Sequence, residues 1–143
     1  MAFPTFQEYP NRKAQKDVVP YFVTNDEFRY TAKDLMDFYE DKDIEVLTLI
    51  NPDNPSGNYI RREDVLKLSK WCEKKNIRFV VDESFVDFVD EEEMTTLLDA
   101  EILKANPNLI VVKSISKSYG VPGLRLGVLA SSDEELIAEM KKD

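Results

Sequence analysis

Residues 45–82, EVLTLINPDNPSGNYIRREDVLKLSKWCEKKNIRFVVD, decide the fold class of this chain. The opening segment, Glu45-Val-Leu-Thr-Leu-Ile-Asn51, is short and apolar, the pattern of a buried strand. Over residues 62–75 the period changes, and Val65, Leu66, Leu68, Trp71 and Cys72 form a helical stripe. Ile77-Arg-Phe-Val-Val-Asp82 returns to the strand pattern. A strand, a helix and a second strand in that order imply a right-handed crossover between parallel neighbours.

The alternation continues toward the carboxyl end. Residues 93–105 read as a helix carrying Leu97, Leu98, Ile102 and Leu103. Leu109-Ile-Val-Val-Lys-Ser-Ile115 reads as a third strand and Leu124-Arg-Leu-Gly-Val-Leu-Ala130 as a fourth. Residues 133–142 form a last helix opened by a Ser/Asp cap. Between residues 117 and 124 there is no room for a crossover helix, so the fourth strand is expected to run antiparallel. Before residue 45, residues 31–40 look helical, and residues 18–23 suit an edge strand because Pro20 opposes a central place. The expected fold is α/β: a mainly parallel sheet flanked by helices, with the last strand antiparallel. There is no internal repeat, low-complexity tract or linker, and 143 residues suffice for one domain with a real core.

Composition removes several function classes. The chain has no histidine, which excludes Ser-His-Asp and Cys-His catalysis, histidine zinc ligation and histidine general bases. A net charge of −9 opposes nucleic acid and anionic membrane surfaces. Five acids fall within residues 87–93, a run that reads as a solvated loop. Cys72 is the only cysteine, so no intrachain disulfide forms, and a reducing cytoplasm is the natural setting. No apolar run approaches the ~20 residues that span a bilayer, and the amino terminus lacks signal-peptide character.

In an open parallel sheet, ligands lie beyond the carboxyl ends of the strands. Three unusual segments fall there: residues 51–57, 82–85 and 114–117. The last opens the stretch Ser-Ile-Ser-Lys-Ser-Tyr-Gly-Val-Pro-Gly-Leu-Arg-Leu-Gly, residues 114–127. Ser114 and Ser116 offer hydroxyl donors and Arg125 a guanidinium fork, a set suited to phosphate oxygens. Gly120 and Gly123 allow the chain to turn back between lysine and arginine. Alone, Lys117 reads equally as a solvated surface charge. A desolvated site beside Arg125 would shift it toward the neutral, nucleophilic amine.

The stretch resembles the pyridoxal-phosphate lysine motif of class I/II aminotransferases, a group of fold-type I enzymes. By that resemblance Lys117 is the catalytic residue and carries pyridoxal 5'-phosphate as an internal aldimine, while Ser114, Ser116 and Arg125 bind the cofactor's phosphate. Asn51-Pro-Asp-Asn-Pro-Ser-Gly57 is similar to the family's Asn-Pro-x-Asn-Pro-Ser/Thr-Gly signature, which assigns Asn54 to the cofactor's phenolic oxygen. Without the resemblance the segment is a turn-rich loop; Asn54-Pro55 is a candidate cis bond. Val80-Val-Asp-Glu-Ser-Phe85 places Asp82 where relatives pair a carboxylate with the protonated pyridine nitrogen. Alone, Asp82 reads as a helix cap or an arginine partner. Pro4-Thr-Phe-Gln-Glu-Tyr9 resembles the segment whose aromatic, here Phe6, stacks on the ring; in isolation Phe6 is a core residue.

Phe85 departs from the pattern, since many aminotransferases have tyrosine there and its hydroxyl bonds the same phenolic oxygen. Its loss implies a raised aldimine pKa. Together with the following Asp-Phe it is more reminiscent of threonine-phosphate decarboxylases than of histidinol-phosphate aminotransferases. The resemblance covers the whole chain but only the middle of a family polypeptide. One partial large domain, residues 1–143, is therefore expected, without the amino-terminal phosphate cup and the carboxy-terminal small domain. The implied partners are a small amino-acid substrate and a second copy of the chain, through dimerisation or self-association. Two functions remain open: a transaminase or decarboxylase core, inactive in isolation, and a non-catalytic α/β fragment that keeps the fold alone.

Overall fold

The computed structural model describes residues 1–3, 18–88, 96–115 and 127–142. In chain order the elements are strands β1 (Ala2–Phe3) and β2 (Tyr21–Phe22), helix α1 (Ala32–Tyr39), strand β3 (Val46–Ile50) and helix α2 (Arg62–Lys74). Strand β4 (Arg78–Asp82), a 3₁₀ turn (Val86–Phe88), helix α3 (Ala100–Ala105), strands β5 (Leu109–Ser114) and β6 (Gly127–Ala130) and helix α4 (Glu134–Met140) follow. The main sheet has the order β3-β4-β5-β6, with the first three strands parallel and β6 antiparallel to β5. The expected fold class and the reversal of the last strand are both present.

The apolar runs explain the layering. Leu47, Leu49, Phe79, Val81, Leu109 and Val111 are buried, and they pack in one cluster with Leu35 and Tyr39 of α1 and Val65, Leu68 and Cys72 of α2. Burying a side chain such as Leu68 or Phe79 contributes about 1.5–3 kcal/mol each. Cys72 is fully buried, and burial pushes its thiol up to about 12, so it acts as a small apolar residue.

Local signals set the helix ends. Thr31 and Asp34 form a reciprocal capping box at the start of α1 (Asp34 N–H to Thr31 Oγ1 3.1 Å, Thr31 N–H to Asp34 Oδ2 2.8 Å). Helix α2 ends with Asn76 in the left-handed region (φ 56°), and the Ile77 N–H returns to the Cys72 carbonyl at 2.8 Å. That turn delivers the chain directly into β4.

Two expectations change. The helix read over residues 93–105 is present only as α3, while residues 93–95 lie outside the described residues. Thr96 and Leu97 are drawn out of the helix by Glu83, and Asp99 then caps α3 through Glu101 N–H and Ile102 N–H. Near the amino end, the strand expected over residues 18–23 shrinks to β2, which pairs in parallel with β1 in a separate two-stranded sheet. Pro20 lies just before it.

Candidate cofactor site

The parallel register aligns Ile50 of β3 with Asp82 of β4, and the Asn51 N–H donates to the Asp82 carbonyl at 2.8 Å. The loop after β3 therefore starts against the end of β4. Asn51 then closes that loop. Its Nδ2 donates to the Ile60 carbonyl and its Oδ1 accepts the Ile60 N–H, both at 2.8 Å, and both residues are buried. Asn51-Pro52 and Asn54-Pro55 are cis, the second as the sequence indicates. Gly57 has φ +73°, a conformation that glycine adopts without a steric penalty.

Inside the loop, buried polar groups form the scaffold. Asp53 Oδ2 accepts the Ser56 hydroxyl at 2.5 Å, and burial holds its carboxyl above the usual range. Asn58 Nδ2 donates to the Tyr30 carbonyl at 2.9 Å, tying the loop to the start of α1. Asn54 is only half-buried and faces a cleft of about 330 Å³ whose walls include Pro55, Tyr59 and Phe85. Phe85 lies three residues beyond Asp82, so the cleft joins the ends of β3 and β4.

Asp82 is the last residue of β4. Its Oδ1 accepts the Ser84 N–H at 2.9 Å and the Ser84 hydroxyl at 2.5 Å. The same Ser84 Oγ accepts the Ser114 N–H at 2.9 Å, so one buried hydroxyl joins the ends of β4 and β5. Glu83 serves structure. It is buried, its Oε1 accepts the Thr96 hydroxyl at 2.5 Å, and its Oε2 accepts the Leu97 N–H at 2.9 Å. Burial raises its carboxyl above the ordinary value, with these hydrogen bonds and Lys113 opposing.

Of the residues expected at the site, Asn54, Asp82 and Ser114 are gathered on one sheet edge. Phe6, Ser116, Lys117 and Arg125 lie outside the described residues. The sequence reading passed over Asn51, Asp53, Asn58 and Ser84. Their signal was the habit of short polar side chains in turns to bond nearby backbone, which does not say which backbone. Chemically, an amide, a carboxylate, a backbone-anchored serine and aromatic walls suit a flat heteroaromatic ligand with a cationic nitrogen and an oxygen acceptor. Among the described residues no cluster of acids or thiols could hold a metal, and no helix is long and apolar enough to cross a membrane.

Comparison with known proteins gives consistent findings. The family model for aminotransferase class I and II matches residues 2–143. The chain is 36% identical over 130 residues to an L-serine phosphate decarboxylase of Sulfurospirillum multivorans, covering 89% of this chain and 33% of that protein. It is 33% identical over 110 residues to a histidinol-phosphate aminotransferase of Ruminiclostridium cellulolyticum, covering 77% of this chain and 28% of that one. A solved structure of a decarboxylase from Sulfurospirillum multivorans superposes with a TM-score of 0.80 at 32% identity, over 99% of this chain and 40% of that chain. The chain thus spans about a third of the length of the curated relatives it matches.

Proposed function

Because this chain belongs to the class I and II aminotransferase family, we propose that it forms the cofactor-holding core of a pyridoxal-phosphate enzyme acting on an amino acid. Residues 1–143 would be part of one large, cofactor-binding domain. Bound pyridoxal phosphate supplies an electron sink for the charge left at a substrate's Cα. The groups of this chain do the rest. Lys117 Nζ is the attachment point and moves the proton at Cα. The Asp82 carboxylate pairs with the ring nitrogen, and Asn54 donates to the phenolic oxygen. Ser114, Ser116 and Arg125 hold the phosphate, and Phe6 covers the ring face.

The observation that supports this reading is the convergence of the Asn54 loop, Asp82 and Ser114 at adjacent ends of β3, β4 and β5. The donor set fits the group, since Asp82 brings an anion to the strand edge and Asn54 brings an amide to the cleft. The test adds pyridoxal phosphate, records the visible spectrum, reduces with borohydride and maps the labelled peptide. A single label on Lys117, lost in Lys117→Ala, is the expected result. Labelling scattered over surface lysines would favour the non-catalytic fragment instead.

Within the enzyme class, decarboxylation of a phosphorylated amino acid is the second reading. It is favoured by the similarity to the L-serine phosphate decarboxylase over 89% of this chain and by Phe85 in place of tyrosine. With O-phosphoserine as substrate, carbon dioxide release supports decarboxylation, whereas keto-acid formation supports amino transfer. A homodimer in the cytoplasm completes the proposal, and sedimentation of the purified chain tests the oligomeric part.

A further inference from the structure

The short polar run after β4 contains a residue to which the proposed chemistry gives no role. Ser84 is buried, yet its hydroxyl is used twice. It donates to Asp82 Oδ1 at 2.5 Å and accepts the Ser114 N–H at 2.9 Å. The Ser84 N–H adds a second bond to the same carboxylate oxygen at 2.9 Å. These contacts bind one carboxylate to two neighbouring strand ends.

We propose that Ser84 is the positioning residue for Asp82, fixing its carboxylate plane against the end of β5. The inference rests on the reading of Asp82 as the partner of the cofactor's ring nitrogen. The carboxylate cannot rotate about χ2 without breaking the Ser84 hydroxyl bond. Its orientation is also referenced to β5, because that hydroxyl is itself held by the Ser114 N–H. A carboxylate held in that plane would keep one oxygen aimed at the ring nitrogen, the pairing under which the ring would serve as a cationic electron sink. Alanine at this position would keep the backbone N–H bond but lose the hydroxyl, leaving the Ser114 N–H without its acceptor.

The test uses ring-¹⁵N-labelled pyridoxal phosphate and the full chain. In the wild type the ring nitrogen should resonate at the protonated, upfield position. Ser84→Ala should move it downfield and weaken cofactor retention roughly tenfold, as expected for one charge-assisted hydrogen bond. Ser84→Cys, which keeps the shape but donates weakly, should fall between the two. Hydrogen exchange of the Ser114 amide, measured without cofactor, should quicken in Ser84→Ala if the bridge exists. That readout needs no ligand. Asp82→Asn is the control for the underlying reading and should also shift the nitrogen signal. If Asp82→Asn leaves the signal unmoved, or cofactor does not bind, the cofactor reading fails and takes this inference with it. If Asp82→Asn shifts the signal while Ser84→Ala and Ser84→Cys do not, only the inference is overturned. Unchanged Ser114 exchange in Ser84→Ala would overturn it as well.

Discussion

Asn51→Ala puts the loop architecture to a quantitative test. The Asn51 side chain satisfies both the N–H and the C=O of Ile60, at 2.8 Å each, in a buried setting. Alanine leaves both backbone groups unpaired away from water. Each orphaned group costs about 1–3 kcal/mol, so the variant should lose about 4 kcal/mol in all. With a urea slope of about 2 kcal/mol/M, the unfolding midpoint should fall by about 2 M. Trp71, the single tryptophan, reports the transition by fluorescence. Asn51→Asp sharpens the test. The ionised side chain still accepts the Ile60 N–H but opposes the Ile60 carbonyl with a lone pair; the protonated acid can donate to it. The folded state thus favours the protonated form, and its pKa is raised on folding. This variant should be most stable below the ordinary carboxylate range and lose stability as pH rises through the raised value. A loss under about 1 kcal/mol in Asn51→Ala would refute the reasoning, because buried polar groups would then have found other partners.

Other perturbations address separate parts of the molecule. Glu83 has its carboxyl raised by burial, so wild-type stability relative to Glu83→Gln should decline as pH rises above 4.5 toward the raised folded value, read by urea titrations across that window. Cys72 should resist alkylation at pH 8 in the folded chain and react only once urea unfolds it, because its thiol lies at about 12 and is fully buried. Thr31→Ala should cost about 1 kcal/mol through loss of the α1 cap, measured by thermal or urea unfolding. Under the proposed function, Phe85→Tyr should lower the pH at which the bound cofactor's visible absorption changes, since a phenol beside Asn54 adds a donor to the cleft.

Legibility differed between apolar and polar residues. The strands and α2 were readable because side-chain direction repeats every two or 3.6 residues, whatever the rest of the chain does. The antiparallel turn of β6 followed from the length of its connection alone. Helix α3 was overestimated for an instructive reason. Leu98 keeps helical spacing with Ile102, but Glu83 captures the Thr96 hydroxyl and the Leu97 N–H from another element. At the candidate site, motif and position pointed to Asp82, Asn54 and Ser114, which the fold gathers at neighbouring strand ends. The support beneath them was not.

The sequence by itself determined the α/β class, the order along the chain and the direction of the main strands, and which segments follow the carboxyl ends of the parallel strands. Those properties rest on local periodicity and on the lengths of the connections between strands, both of which run along the chain itself. Only the tertiary structure decided which polar side chains became scaffold. Asn54 and Asn58 are chemically identical, yet one faces the cleft while the other is buried against Tyr30, 28 residues away. Ser84 and Ser114, 30 residues apart, became a single bridge only because β4 and β5 lie side by side. A hydrogen bond requires a partner within about 3 Å, and that partner is supplied by folding rather than by neighbouring sequence.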